Sequence, residues 1–109
     1  MRKAVAKVEA VPPGEMLPVD IEGLPPIVIF NLDGELFATS NICTHAVARL
    51  SDGFFEEGVI ECPLHSGCFD VRTGEATEFP CEIPLKTYNV EVDGDDILVE
   101  FDEACIEFI

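Results

Sequence analysis

Tryptophan is absent from this chain, tyrosine occurs once and histidine twice in 109 residues. Basic side chains are almost as scarce: six Lys and Arg face 22 Asp and Glu, for a formal net charge of −16. So acidic a chain lacks the cationic patches that phosphate backbones require, which excludes nucleic acid as an expected partner. Anionic membrane surfaces are excluded on the same ground. No apolar run approaches the roughly 20 residues of a membrane-spanning helix. The basic start Met1–Arg2–Lys3 leads into no apolar stretch, because Glu9, Pro12, Pro13 and Glu15 follow, and twin arginines are missing. A leader is therefore not expected, and the expected location is the cytoplasm, where thiols stay reduced. In that compartment five cysteines read as metal ligands or ordinary thiols, not as a disulfide framework. The acidity itself has a plain meaning, solubility, and a sharper one, attraction to partners with basic patches.

What is present is enough apolar material for one core. Hydrophobic residues make up 48% of the chain, which excludes disorder, and the length suits a single domain. The apolar runs are short and broken by turn residues, the pattern of an all-β fold. Ala4–Val8 alternates and reads as a first strand, with a turn at Val11–Pro12–Pro13–Gly14. Met16–Ile21 and the β-branched run Ile27–Leu32 follow, the latter as a central strand. Asp33–Gly34 is a hairpin signal, and Leu36–Thr39 returns from it. Late in the chain Leu85–Val92 reads as one strand with Tyr88, Val90 and Val92 on one face. Asp93–Gly94 turns it into a last strand, Ile97–Phe101.

The stretch from about 40 to 81 differs. It is rich in glycine and turn residues, shows little periodicity and holds both histidines. Its apolar pieces Phe54–Phe55, Val59–Ile60 and Phe69–Val71 argue for order. The expected organisation is one domain, 1–109. A base is built from 1–39 and 82–109, an antiparallel β-sandwich or barrel. An inserted subdomain of about 40–81 carries short strands near Val59–Glu61 and Cys68–Val71.

Within the insert lie Cys43–Thr44–His45 and Cys62–Pro63–Leu64–His65, each pairing a thiol with an imidazole, sixteen residues apart. Zinc fingers usually draw two Cys from one segment and two His from the other, and plant-type ferredoxins use four Cys. Two loops that each give one thiol and one imidazole can build a centre in which two His replace two Cys on one of two irons. Thiolates Cys43 and Cys62 would then hold the inner iron, and His45 and His65 the outer one. A structural zinc site of the Cys₂His₂ kind is the alternative these residues leave open.

The spacing C-x-H followed by C-P-x-H resembles the Rieske signature. The surrounding text resembles the ferredoxin components of bacterial aromatic-ring dioxygenases, the biphenyl, toluene and naphthalene systems among them. The phrases that carry the likeness are Phe30–Asn31–Leu32–Asp33–Gly34–Glu35–Leu36–Phe37–Ala38–Thr39, Leu50–Ser51–Asp52–Gly53, Glu61–Cys62–Pro63–Leu64–His65 and Phe69–Asp70–Val71–Arg72–Thr73–Gly74. It runs from about residue 8 to about residue 101. Ala46 departs from the glycine that many relatives carry after the first His.

The resemblance implies one [2Fe–2S] Rieske cluster on Cys43, His45, Cys62 and His65, and a one-electron carrier with no bond chemistry of its own. It implies a flavin-containing, NADH-dependent reductase upstream and a terminal oxygenase downstream; a small subunit of another redox enzyme, such as nitrite reductase, is the runner-up. A monomer suits a diffusing carrier. High-potential members of the family carry an inter-loop disulfide and two hydroxyl donors near the cluster sulfurs. Here the disulfide positions hold no cysteine, and the donor positions are Gly67 and Phe69. The expected potential therefore lies at the low end of the Rieske range of about −150 to +300 mV. Ala46, Val47, Leu64 and Pro80 are expected to form an apolar collar at the cluster, with Asp52, Glu56, Glu57, Glu75 and Glu78 around or beyond it. Cys68, Cys81 and Cys105 are expected to be packed or incidental thiols.

Overall fold

The computed structural model describes residues 1–44, 48–64, 67–79 and 83–101. Eleven strands are found among them: β1 (Arg2–Lys7), β2 (Met16–Val19), β3 (Ile27–Leu32), β4 (Glu35–Ser40), β5 (Phe54–Glu56), β6 (Val59–Glu61), β7 (Cys68–Asp70), β8 (Ala76–Glu78), β9 (Thr87–Tyr88), β10 (Val90–Asp93) and β11 (Asp96–Glu100). They form three antiparallel sheets with the orders β1-β11-β10, β2-β3-β4-β9 and β5-β6-β7-β8. Short 3-10 turns at Val8–Ala10 and Leu50–Asp52 are the helical pieces among the described residues. The fold is all-β, as the pattern of short runs predicts.

Strand β3 explains how the sheets are stacked. Side chains alternate across a strand, so the four successive apolar residues Ile27–Phe30 must be covered on both faces. Ile27 and Ile29 point to one side and pack with Val11, Val19, Ile97 and Val99 beneath the β1-β11-β10 sheet. Val28 and Phe30 point to the other side and pack with Leu50, Ile60 and Phe69 of the small β5-to-β8 sheet. All four β3 residues are fully buried. The middle sheet thus holds the base sheet on one face and the small sheet on the other. Phe30 seals the second contact against Phe55, with ring centroids 4.8 Å apart.

The β3–β4 connection is the two-residue loop Asp33–Gly34, with φ of 53° and 97° at its two positions. Two left-handed residues match the right-handed twist of the flanking strands, which is why this dipeptide is a strong hairpin signal. Buried Asn31 reinforces the loop: its Oδ1 accepts the Gly34 N–H at 2.7 Å while its Nδ2 donates to the Val11 carbonyl at 2.8 Å.

Several expectations are corrected. The first strand ends at Lys7, because Val8–Ala10 closes into a 3-10 turn. Leu85–Val92 is not one strand: Thr87–Tyr88 pairs with β4, whereas Val90–Asp93 pairs with β11. The chain changes sheets at Asn89, whose carbonyl accepts the Glu100 N–H at 3.0 Å. Tyr88 and Val90 still pack against one core cluster, as expected, but Val92 lies 53% exposed. The last turn is centred on Gly94–Asp95, since Asp93 pairs with Asp96. Strands β5 and β8 were not foreseen; with three residues each, they are too short to show periodicity.

Candidate metal centre

Both expected thiol ligands sit at the mouths of loops that are pinched in the same manner. The Cys43 N–H donates to the Ala48 carbonyl at 2.9 Å, and the Cys62 N–H donates to the Gly67 carbonyl at 2.7 Å. Each loop is therefore closed by a backbone hydrogen bond between its cysteine and the residue five positions on. Below the first neck Ile42 and Arg49 form an antiparallel bridge. Below the second, Glu61 and Cys68 are paired across β6 and β7. The strands thus fix the two cysteines at matching positions, one at each neck.

Fully buried Asn41 supports the first loop. It exchanges two hydrogen bonds with Ser51: Nδ2 donates to Ser51 Oγ at 2.9 Å, and Oδ1 accepts the Ser51 N–H at 2.8 Å. Its backbone N–H donates to the Pro26 carbonyl and its carbonyl accepts the Leu50 N–H. The end of β4 and the 3-10 turn are locked together at the root of the loop. A third segment is tied in by the Thr44 hydroxyl, which donates to the Ile83 carbonyl at 2.6 Å. Leu85, nearly buried, anchors the same segment through its N–H to the Gly74 carbonyl at 2.8 Å.

The cysteine sulfurs are brought together. Cys43 and Cys62 are 3% and 1% exposed, and the two thiols lie within hydrogen-bonding reach of each other. Burial first, then the Cys43 contact, pushes the Cys62 thiol above its ordinary value, while the Leu64 N–H directed at its sulfur works the other way. A buried, neighbouring pair of thiols is costly as two bare thiolates and suits a cation that takes both. The donor set therefore fits the inner iron of the expected cluster, with one thiol from each loop.

His45 and His65 lie outside the described residues, as do Ala46, Val47, Pro80, Cys81 and Cys105. Of the expected apolar collar, Leu64 is described and is 45% exposed. Ile83, unforeseen there, is also exposed. Phe69 is fully buried and its ring packs inward with Phe30 and Ile60, so a phenyl group and no hydroxyl stands at this position. Cys68 is buried, and its thiol is pushed up by burial and by Glu61 and Glu78. The supporting residues Asn41, Ser51 and Thr44 were missed in the sequence. The signal available for Thr44 was its place between two ligand positions, and for Asn41 its place at the entrance to the loop.

Comparison with known proteins agrees with this geometry. The Rieske [2Fe-2S] domain family matches residues 1–89. The chain is 48% identical over 90 residues to the biphenyl 2,3-dioxygenase ferredoxin component of Rhodococcus jostii (strain RHA1), covering 83% of each chain. The solved ferredoxin of Sphingomonas yanoikuyae B1 superposes with a TM-score of 0.89 at 40% identity, covering 94% of this chain and all of that one. A chain from a complex of reduced oxygenase and oxidized ferredoxin in carbazole 1,9a-dioxygenase superposes with a TM-score of 0.86 at 35% identity, over 90% of this chain and 91% of the other.

Proposed function

Because the chain belongs to the Rieske [2Fe-2S] domain family, we propose that it is a soluble one-electron carrier feeding a terminal ring-hydroxylating oxygenase. The observation that carries this reading is the pair of buried thiols, one from each pinched loop, within reach of each other. Cys43 and Cys62 would hold one iron, and His45 and His65 the other. Bound there, the cluster supplies reversible one-electron exchange. The protein's own residues fix where that exchange happens. The two loop necks set the thiol positions, Asn41 and Ser51 hold the first loop to the core, and Thr44 ties it to the segment at Ile83. With both histidines in this role, none remains for a mononuclear oxygenase iron, which fits a carrier and not the oxygenase.

The chain divides, in this reading, into a base of 1–39 and 82–109 and a cluster-binding subdomain of about 40–81. The electron donor is a flavin-containing, NADH-dependent reductase, and the carrier works as a cytoplasmic monomer. Among the described residues no helix is long and apolar enough to cross a membrane.

Purified holoprotein is expected to contain two irons and two acid-labile sulfides, counts set by the [2Fe-2S] family, and to give an electron paramagnetic resonance signal on reduction. His45→Ala and His65→Ala should each abolish the visible chromophore; a chromophore that survives both changes defeats the ligand assignment. A midpoint potential at the low end of the Rieske range, below about 0 mV, is expected from the phenyl group at position 69 and glycine at 67. A redox titration reading well above zero would contradict it.

A further inference from the structure

The register of the small sheet sets four side chains in one row. Phe54 pairs with Glu61, Glu61 with Cys68, and Cys68 with Glu78. Directly opposed residues share a face, and four strands spaced about 4.8 Å apart make a row roughly 14 Å long. Alternation puts Glu56 on the same side. The other side carries Phe55, Ile60 and Phe69 into the core, so the row lies on the outer face of the sheet, where Phe54, Glu56 and Glu78 are exposed, Glu61 is half-buried and Cys68 is covered. Phe54 is 71% exposed at the start of edge strand β5 although apolar burial was available one residue on, where Phe55 takes it. Edge protection accounts for the carboxylates but not for an exposed phenyl ring among them.

Charge is distributed unevenly over the molecule. Three of the six cations lie on β1, and Arg2, Lys7 and the N-terminus are engaged by Glu91, Glu100 and Asp96 of the base sheet. Residues 50–79 hold seven carboxylates and one cation, Arg72, which already faces Asp70. The outer face of the small sheet is therefore the uncompensated side, and Glu61 leads directly into Cys62.

We propose that the outer face of β5–β8 is a docking surface for the terminal oxygenase, with Phe54 entering an apolar recess and Glu56, Glu61 and Glu78 meeting Lys and Arg around its rim. The proposal rests on the carrier function above and names the surface used for electron delivery. A phenyl anchor ringed by carboxylates is the complement of an apolar recess with a basic rim, and a single aromatic anchor can dominate a small transient interface. The oxygenase is chosen because a relative of this fold is known in complex with one.

The test uses holoprotein, the oxygenase and the reductase of the same system, and stopped-flow electron transfer in both directions. Phe54→Ser should slow transfer to the oxygenase about tenfold at every salt concentration, with the visible spectrum and midpoint potential unchanged. The double substitution Glu56→Gln with Glu78→Gln should slow it at low salt and converge on wild type at about 0.5 M salt. Reduction by the reductase should stay within about twofold of wild type in both. Val92→Ser, a change at an exposed apolar position of the base sheet, should alter neither rate. Wild-type transfer rates to the oxygenase in both variants would overturn the assignment, as would an equal loss with the reductase. A wild-type holoprotein unable to reduce the oxygenase at all would overturn the carrier reading and this surface with it.

Discussion

Asn41 shows how much one side chain can contribute to the root of the proposed cluster loop. It is completely buried, and both its amide groups are spent on Ser51. Among the described residues no buried side-chain polar atom is left without a partner, so the pair is a closed arrangement with no slack. Asn41→Ala removes two hydrogen bonds and strands the Ser51 N–H and hydroxyl, a cost of about 2 kcal/mol. Urea denaturation followed together by far-ultraviolet circular dichroism and visible absorbance should show a lower midpoint, with the chromophore bleaching at or before the loss of strand signal. Asn41→Asp keeps the acceptor for the Ser51 N–H and should lose less. Thr44 acts more locally: its hydroxyl reaches a carbonyl 39 residues away and joins two loops that no strand pairing among the described residues connects.

At the level of elements, the joint that matters is where the segment after the small sheet returns to the base. Gly74 has φ of +82°, and a Cβ there would stand 2.4 Å from the Leu85 carbonyl oxygen. The Gly74 N–H donates to the Asp70 carbonyl while its own carbonyl accepts the Leu85 N–H, so backbone lies close on two sides. Gly74→Ala combines a disfavoured backbone conformation with a clash against an atom that cannot rotate away, and should destabilise the protein by about 2 kcal/mol or more. Gly34→Ala is the comparison: it also has positive φ but meets nothing within 4 Å, and should cost less. Equal urea midpoints for the two variants would show that the close approach to Leu85 has no energetic weight. Sheet-switching at Asn89 belongs to this scale as well, since β9 and β10 are one apolar run divided between two sheets.

For the whole molecule the dominating quantity is the net charge of −16. A field of one sign accelerates the approach of an oppositely charged partner, and salt shortens its reach from about 30 Å at 0.01 M to about 3 Å at 1 M. Reduction of the holoprotein by the proposed flavoprotein reductase should therefore slow steadily as ionic strength rises, measured as a second-order rate constant at fixed pH. A rate that is flat across that range would rule out electrostatic steering. The charge contributes nothing comparable to the fold: the ion pairs among the described residues all involve exposed or half-exposed groups, where each is worth at most about 1 kcal/mol. Stability comes from the two apolar layers on either side of β3.

Local chemistry was legible in the residues themselves. Asp33–Gly34 specified a hairpin because few dipeptides accept two left-handed residues, and Ile27–Leu32 specified a central strand because its four successive apolar residues, Ile27–Phe30, cannot all face water. Cys43 and Cys62 were marked as candidate ligands by the histidines spaced beside them, and the fold buries the two thiols next to each other. The tertiary structure alone decided which face of β3 meets which sheet, where the run Leu85–Val92 breaks, and which side of the small sheet is left uncovered. It alone placed Asn41 against Ser51 and Thr44 against Ile83. Those pairings depend on chain segments 10 and 39 residues apart being carried to the same place by strand register, and register is settled by the packing of the whole core, not by any stretch within it.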